Sequence, residues 1–371
     1  MSYDTVSLLW REPALATRFQ TAVCLHGHTL HSEECLSFLP THLRRVPGVS
    51  HLIRQCQRRP TPAVDFSRAF WTPPLAPACA LRLERKQIAD CGLAPIVSLT
   101  DHDSIAAGMA LQETNGNGDT PISVEWTAPY EQSILHFGIH NLPPDSAAWW
   151  MSVMASYTTA PDESLLPSIL RDLDRIPEVL IVLNHPYWLE EGVTEAGHRR
   201  ALARVLRECL DGLHAFELNG TRGWSENSAV IDLARQYSRP VISGGDRHAC
   251  EASACLNLTN AATFAEFAGD VRSGHSHVLF MPHYREPMPL RILEAACDIL
   301  RPYPEYPGRE RWTQRVFYRG EDGIARPLSV VWKNRVPWFI HPATGMLQLS
   351  AMRGVRFTLR RLMAFEAEAL P

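Results

Sequence analysis

The chain has 371 residues, of which 45% are hydrophobic, and this length can bury one large domain with an appendage or two domains. The formal net charge of −4 excludes a protein that coats nucleic acid with a uniformly basic surface. The nine cysteines include no Cys-x-x-Cys pair, which argues against a disulfide framework and against a zinc ribbon. No apolar run has the length of a signal-peptide core or of a membrane span, so we expect a reduced, soluble, cytoplasmic protein.

Short apolar runs rich in β-branched residues alternate with helix-like segments along most of the chain. The predicted strands are 21–25, 95–99, 122–126, 134–139, 179–183, 214–218 and 240–243. The predicted helices are 81–91, 104–113, 164–176, 197–211, 227–237 and 262–273, with Ser104 and Asn227 as N-caps. Nearly uniformly apolar strands that alternate with helices predict a parallel sheet covered by helices.

Two regions do not follow this alternation. Residues 38–80 are rich in proline and arginine and separate the first two predicted strands by more than one helix needs, so we interpret them as an insertion near the mouth of the fold. Residues 301–371 open with Arg-Pro-Tyr-Pro-Glu-Tyr-Pro, which is typical of a linker. Strand-like runs at 328–332 and 337–341, with a turn at 342–345, predict a small C-terminal extension that contains β-structure.

Histidines and acids gather directly after the predicted strands. The motifs are His26-Gly27-His28, Thr100-Asp101-His102-Asp103, Ser123-Val124-Glu125-Trp126, Asn184-His185-Pro186 and Gly245-Asp246-Arg247-His248. Barrels of the (β/α) type build active sites from the loops that follow their strands, whereas an open doubly wound sheet concentrates chemistry at one switch point. Seven candidate strands with this pattern therefore favour a barrel.

The residue types in these motifs are those that hold divalent metal ions. His26 and His28 are two positions apart on a strand, so both imidazoles point to one face, although histidines hydrogen-bonded inside a barrel would show the same spacing. The Glu125 carboxylate can bridge two cations, which an imidazole cannot. His136 and His140 share a face of the next predicted strand, and His140 is the weaker candidate because it lies later on that strand.

The ordered set resembles the motifs of the PHP (polymerase and histidinol phosphatase) family over residues 21 to about 290. Members of that family typically read Asp-Leu-His-x-His-Thr, Thr-Asp-His-Asp, a Glu-bearing strand, His-x-x-Gly, Asn-His-Pro and Gly-Ser-Asp-x-His. In this chain the last five are represented by Thr100–Asp103, Val124–Trp126, His136-Phe137-Gly138, Asn184–Pro186 and Gly245–His248. The first reads Cys24-Leu25-His26-Gly27-His28-Thr29, so Cys24 replaces the usual Asp, and Gly245 replaces the usual Ser of the last motif.

The resemblance implies a distorted (β/α)7 TIM-like barrel over residues 21–300, preceded by a segment at 1–20 and followed by the extension at 301–371. It also implies two or three divalent ions, usually Zn, Mn or Fe. One ion would take His26, His28, Glu125 and Asp246. A second would share Glu125 and take His136 and His185. The third would take His102, His248 and a side chain of the first loop, which is Glu33 by position, with His31 and Glu34 as alternatives.

The chemistry expected from such a centre is metal-dependent phosphoric ester hydrolysis, in which a metal-bridging hydroxide attacks phosphorus in line. Asp103 and Arg247 are the candidate catalytic residues. Either Asp101 or Asp103 would accept a hydrogen bond that fixes the His102 imidazole, and capping of the following helix is the alternative role for Asp103. Arg247 would donate to a phosphate oxygen, and a solvated surface position is the alternative for it.

Two other functions fit the same residues. Metal ions polarise a carbonyl equally well, so amide or lactone cleavage is one alternative. The other alternative is a non-catalytic metal-binding module with a nucleic-acid-processing partner. Two basic regions favour it, since residues 41–90 carry 9 basic against 3 acidic residues and residues 301–371 carry 12 against 6. Residues 91–300 carry 13 against 27, so we favour a small phosphomonoester or short phosphodiester over long nucleic acid. We expect no membrane partner, and the sequence carries no signal for an oligomeric state.

Overall fold

The fold is mixed α/β in a computed structural model that describes residues 6–37, 65–115, 120–333, 336, 340–350, 354, 355, 357, 358 and 361. The strands are β1 (Val6–Leu8), β2 (Thr21–Cys24), β3 (Glu34–Cys35), β4 (Ala69–Trp71), β5 (Ala94–Val97), β6 (Val124–Tyr130), β7 (Ser133–His140), β8 (Leu180–Asn184), β9 (Ala215–Asn219), β10 (Val241–Gly244), β11 (Cys255–Thr259), β12 (Val278–Phe280), β13 (Val316–Arg319) and β14 (Ala325–Pro327). The helices are α1 (Pro77–Asp90), α2 (Ala106–Asn115), α3 (Pro144–Thr159), α4 (Leu166–Asp174), α5 (Glu195–Cys209), α6 (Trp224–Tyr237), α7 (Phe264–Arg272), α8 (Met288–Leu300), α9 (Trp312–Arg315), α10 (Leu328–Val331) and α11 (Ile340–Ser350).

Two five-stranded sheets make up the main body, in the orders β1-β12-β11-β2-β5 and β10-β9-β8-β7-β6. The prediction of a parallel sheet is wrong in part, because each sheet is mixed. β8, β9 and β10 run parallel, whereas β6, β7 and β8 form an antiparallel meander. Only residues 131 and 132 separate β6 from β7, and a connection of that length permits a hairpin but not the crossover that parallel strands need.

The two sheets approach each other at the end where β2, β5 and β10 finish. Two isolated parallel bridges connect them there, Gly27 to Arg247 and His102 to Glu125. No closed barrel is found among the described residues, so the predicted (β/α)7 barrel is not seen as one continuous sheet. The arrangement nevertheless brings the loops after several strands to one place.

Apolar packing between and around the sheets holds these loops in position. Alternate residues of β8 face opposite ways, so that Leu180 and Val182 pack with Val23 between the sheets while Ile181 and Leu183 pack in a larger cluster on the helix-covered side. All four β8 residues are completely buried. A strand buried on both faces is uniformly apolar, which is why β8 was recognisable in the sequence.

All six predicted helices are present with shifted ends, and α3, α8, α9, α10 and α11 were not predicted. The Ser104 hydroxyl accepts a hydrogen bond from the Ala106 amide at the start of α2, in agreement with its expected capping role. Asn227 is not an N-cap, because α6 begins three residues earlier at Trp224. Its side chain instead bonds both backbone groups of Asn219, which fixes the helix to the end of β9.

The C-terminal extension contributes β-structure at positions other than those predicted. β13 and β14 form a four-stranded sheet with β4 and β3 in the order β14-β13-β4-β3. The runs expected to be strands at 328–332 and 340–341 fall in or beside α10 and α11, and the turn expected at 342–345 lies within α11. Residues 337–339, and residues 38–64 of the predicted insertion, lie outside the described residues. Across the described ranges, no helix combines the length and apolar character that crossing a membrane requires.

Candidate metal centre

A buried cluster of histidines and acids lies where β2, β5, β8, β9 and β10 end. It is composed of His26, His28, Glu34, His102, Glu125, His136, His185, Glu217, Asp246 and His248. β7 runs antiparallel to its neighbours, so His136, near the beginning of this strand, reaches the same edge. His140 lies four residues deeper, where its Nδ1 is 2.8 Å from the Ser98 hydroxyl, and it belongs to none of the possible ligand groups.

The loops that carry the ligands adopt backbone conformations that are uncommon for residues other than glycine. His26, His185 and Asp246 have φ angles of 60°, 25° and 49°. Such conformations cost on the order of 1–3 kcal/mol each and persist where surrounding contacts enforce them. The Asp246 amide donates to the His26 carbonyl at 2.7 Å, which joins two of the strained residues directly.

The first group of potential ligands surrounds His26, His28 and Asp246. His26 Nε2 lies 2.9 Å from Glu125 Oε2 and 3.7 Å from Asp246 Oδ1. His28 Nε2 lies 3.4 Å and 3.5 Å from the same two oxygens. Two imidazole nitrogens and two carboxylate oxygens therefore converge in one place, and these are the four residues expected for one ion.

The second group uses the other oxygen of Glu125. His185 Nε2 is 3.0 Å from Glu125 Oε1, and His136 Nδ1 is 3.7 Å from it. The Asn184 amide donates to the same oxygen at 3.0 Å and so orients the carboxylate. Glu125 thus directs one oxygen to each of two groups of histidines.

The third group contains Glu34 and not Glu33. Glu34 Oε2 lies 3.1 Å from His248 Nε2 and 3.5 Å from His102 Nε2. Glu33 is exposed and pairs with Arg319 at 3.0 Å, and His31 lies outside the possible ligand groups. The assignment of Glu33 is therefore corrected to Glu34, because neighbouring residues of an extended segment point to opposite sides and β3 turns Glu34 inward.

Glu217 is a member of the cluster that was not predicted. One of its oxygens lies 2.5 Å from His26 Nδ1, and the other accepts the His185 amide at 2.8 Å and the Asn219 side-chain amide at 3.1 Å. A carboxylate that binds the second ring nitrogen of a histidine leaves the first nitrogen free to ligate a metal. A Cβ at Gly244 would lie 1.5 Å from Glu217 Oε1, so the absence of a side chain there makes room for this carboxylate.

The donor set fits divalent metal ions. Four buried atoms at its centre have no hydrogen-bond partner within the described part of the chain, namely His26 Nε2, His28 Nε2, His102 Nδ1 and Glu125 Oε2. Each unpaired buried polar atom costs about 1–3 kcal/mol, a cost that a shared cation removes. Imidazole nitrogens and carboxylate oxygens in this combination are ligands for Zn, Mn and Fe.

The electrostatics of the cluster keep its central carboxylate ionised. Burial on its own raises the pKa of Glu125, but His26, His102 and His136 outweigh it and hold the pKa well below its usual range. Burial lowers the pKa of His28 to about 4, with a further contribution from His248, so this imidazole is neutral and able to ligate at pH 7.

The two residues expected to be catalytic have other contacts. Arg247 is buried, and its guanidinium donates to the carboxylate of Glu84 and to the carbonyls of Ala249 and His28. Because all three nitrogens are bonded to the protein, Arg247 holds the ligand loops against α1 rather than facing a substrate, and it is not at the surface either. Asp103 is exposed at the rim and accepts the Thr127 amide at 2.9 Å, and it belongs to none of the possible ligand groups.

Asp101, the other acid of this motif, connects the first two ligand loops. It is buried and accepts from the amide and the hydroxyl of Thr29, the residue that follows His28. Burial raises the pKa of Asp101 to about 6. This contact takes the place of the expected bond to the His102 imidazole.

No family model and no curated protein sequence matches this chain. Its fold has a distant likeness to PsfC from Pseudomonas syringae PB-5123, with a TM-score of 0.38 and 13% identity over 71% of this chain and 93% of that one. An amidohydrolase from Chromobacterium violaceum gives a TM-score of 0.35 and 13% identity, over 61% and 87%. A candidate metal-dependent phosphoesterase from Bifidobacterium adolescentis gives 0.33 and 12%, over 54% and 92%. These three TM-scores are all below 0.5, so none of the three likenesses indicates a function for this chain.

Proposed function

We propose that this protein is a metal-dependent hydrolase that cleaves a small phosphomonoester or a short phosphodiester. The observation that carries the proposal is the position of Glu125, whose Oε2 faces His26 and His28 while Oε1 faces His185. A buried carboxylate with ligands on both sides suits a pair of adjacent cations. Paired cations are typical of enzymes that transfer or hydrolyse phosphoryl groups.

Divalent cations bound by these residues would act as Lewis acids on the phosphoryl group and lower the pKa of a water molecule. The chain itself supplies orientation. Glu217 accepts from His26 Nδ1, and the Asn184 amide holds the Glu125 carboxylate. The side chains of His102 and His248 are 19% and 26% exposed, whereas the other ligand side chains are at most 10% exposed. Among the ligands, His102 and His248 are therefore the ones most open to solvent, and the buried remainder keeps bulk water from the reacting atoms.

We further propose that the chain is a divergent member of the PHP family whose two main sheets correspond to an opened form of the family's barrel. The order of the motifs along the chain and their convergence at one edge support this assignment. Departures at Cys24 and Gly245 have local explanations. The Cys24 thiol lies 3.1 Å from the Ser253 hydroxyl, and a Cβ at Gly245 would lie 2.0 Å from that same hydroxyl.

Elemental analysis of the purified protein, before and after chelation and reloading with Zn, Mn or Fe, tests the metal centre. We expect two or three ions in the wild-type protein and fewer in E125Q, because this carboxylate belongs to two ligand groups. E208Q is the matched control, since Glu208 lies outside the cluster, where it accepts from Tyr130 and Arg204. Wild-type protein without tightly bound metal, or an E125Q protein with full metal content, would refute the proposal.

A substrate panel with the loaded protein tests the reaction. It contains phosphomonoesters, short phosphodiesters, cyclic amides and lactones. We expect release of phosphate or cleavage of the diester, and loss of both in E125Q. Turnover of the carbonyl substrates alone would replace phosphoester hydrolysis by amide or lactone cleavage. Salt-dependent binding of oligonucleotides without turnover of any substrate would favour the non-catalytic module.

A further inference from the structure

The side chains of Arg222 and Trp188 contact each other beside the first ligand group. Arg222 lies in the loop between β9 and α6, and Trp188 lies in the loop after β8. The guanidinium carbon of Arg222 is 3.6 Å from the centroid of the Trp188 ring, and Arg222 Nη2 is 3.6 Å from Asp246 Oδ2. An arginine that contacts a potential metal ligand on one side and an indole on the other is held at the edge of the site.

This arginine keeps hydrogen-bonding capacity that the protein does not use. Arg222 Nε is buried and has no hydrogen-bond partner among the residues that the structure describes, and the same holds for Glu226 Oε1, which is 4.0 Å away from it. The contrast with Arg247 is direct, because all three nitrogens of Arg247 donate to protein acceptors. A buried guanidinium N–H without an acceptor is costly, and an anionic ligand would supply that acceptor.

The geometry of Arg222 is also fixed in advance. Its amide donates to the Asn219 carbonyl and its own carbonyl accepts from the Tyr284 hydroxyl, so the backbone is held on both sides. The Trp188 amide donates to the His185 carbonyl, and its indole N–H donates to Glu190 at 3.1 Å. The Trp188 indole packs against the guanidinium and restricts its movement, so less conformational entropy is lost when a ligand binds.

We propose that Arg222 is the phosphoryl-binding residue of this site and that it donates to a non-bridging oxygen of a phosphate ester held at the group of His26, His28 and Asp246. The ligand class is a tetrahedral oxyanion carrying two negative charges, as in a phosphomonoester or in the inorganic phosphate released from it. The planar fork of arginine matches two oxygens of such a group. This inference rests on the proposed function, and it assigns to Arg222 the role that the sequence had suggested for Arg247.

Calorimetric titration of inorganic phosphate into the protein, both as purified and after metal loading, tests the proposal. In R222Q we expect the affinity for phosphate to fall about 10- to 100-fold, with R222K between R222Q and wild type, because lysine keeps the charge but not the fork. Metal content and thermal stability should stay within error of the wild type. R285Q is the matched control, since Arg285 lies over the ring of Trp10 at 5.8 Å and is outside the cluster.

Three outcomes overturn the proposal. They are wild-type protein that does not bind phosphate, R222Q protein that binds it as tightly as the wild type, and R222Q protein that loses metal in proportion to phosphate. The last would make Arg222 a charge partner of Asp246 alone. Wild-type protein that binds phosphate through Arg222 but hydrolyses no phosphoester would support the anion site and refute the proposed hydrolase, so the two failures are distinguishable.

Discussion

Replacing Glu217 by glutamine removes one oxygen acceptor from the cluster without changing the size of the side chain. Glu217 offers two oxygens to three donors, which are the ring N–H of His26, the amide of His185 and the side-chain amide of Asn219. A glutamine offers one oxygen and one amide group. In either orientation of that amide, at least one buried donor then faces another donor.

The size of the effect follows from these contacts. A buried donor left without its acceptor costs about 1–3 kcal/mol, so we expect the free energy of unfolding of the metal-free E217Q protein to fall by that amount. Loss of a carboxylate that orients a metal-binding histidine lowers metal affinity by about 10- to 100-fold, which is about 1.4–2.7 kcal/mol. The two losses have separate readouts, because the first is present without metal and the second is not.

The assays are denaturant unfolding of the chelated protein and competition with a chromophoric chelator for the loaded protein. E208Q again serves as control, since this glutamate also accepts several hydrogen bonds but lies on α5 outside the cluster. Equal metal affinity in E217Q and wild type would show that Glu217 does not orient His26. A fall in metal affinity in E208Q as large as that in E217Q would show that the assay reports general damage.

G244A should reproduce the metal-affinity loss of E217Q and destabilise the protein by about 1–3 kcal/mol, because the new methyl group displaces the Glu217 carboxylate. Wild-type metal affinity in G244A would show that the missing side chain at residue 244 is not what makes room for Glu217. E34Q should reduce the metal content while E33Q leaves it unchanged, because Glu33 forms an exposed ion pair worth about 0–1 kcal/mol and lies outside the ligand groups of the described residues. The reverse result would restore the assignment of Glu33. Burial lowers the pKa of His214 to about 4 despite its carboxylate partner. The neutral His214 therefore contributes fully to the free energy of unfolding above pH ~6.5. This contribution is lost, by up to about 3 kcal/mol, as the pH falls towards 4. H214Q should therefore flatten the acid limb of unfolding free energy against pH, and an unchanged limb would show that His214 does not carry it.

Local pattern was enough to find most of the site. Each of the seven predicted strands overlaps an observed strand. Strands such as β2, β8, β9 and β10 are buried on both faces and are therefore short apolar runs with clear ends. His26, His28, His102, His185, Asp246 and His248 follow the ends of observed strands, so their approximate positions could be inferred from the chain without knowledge of strand order, whereas Glu125 and His136 lie inside β6 and β7. Strand direction could not be inferred, since the pattern of β7 is the same whether it runs with β8 or against it.

The errors within the site have physical causes of the same kind. Glu33 and Glu34 differ by one position, and a shift of one residue exchanges the two faces of an extended segment. Arg247 is buried because Glu84 accepts from it, and these residues are 163 positions apart in the chain. Glu217 could have been predicted from the sequence, because it is an acid near the end of a predicted apolar strand. The same signal identified Glu125.

The four-stranded sheet connects the loop of Glu34 to strands from the far end of the chain. Glu34 pairs with Trp71 on β4, and Trp71 pairs with Val316 on β13, so the three residues stand in one row. The Arg309 side chain adds a second connection by donating to the carbonyl of Leu30. A chain emerging from the ribosome can join His26 and His28 to Asp246 well before residue 316 exists. The sheet behind Glu34 is therefore completed last, and a nascent chain stopped before β13 would hold β3 and β4 as a two-stranded pair without the other two strands of that sheet.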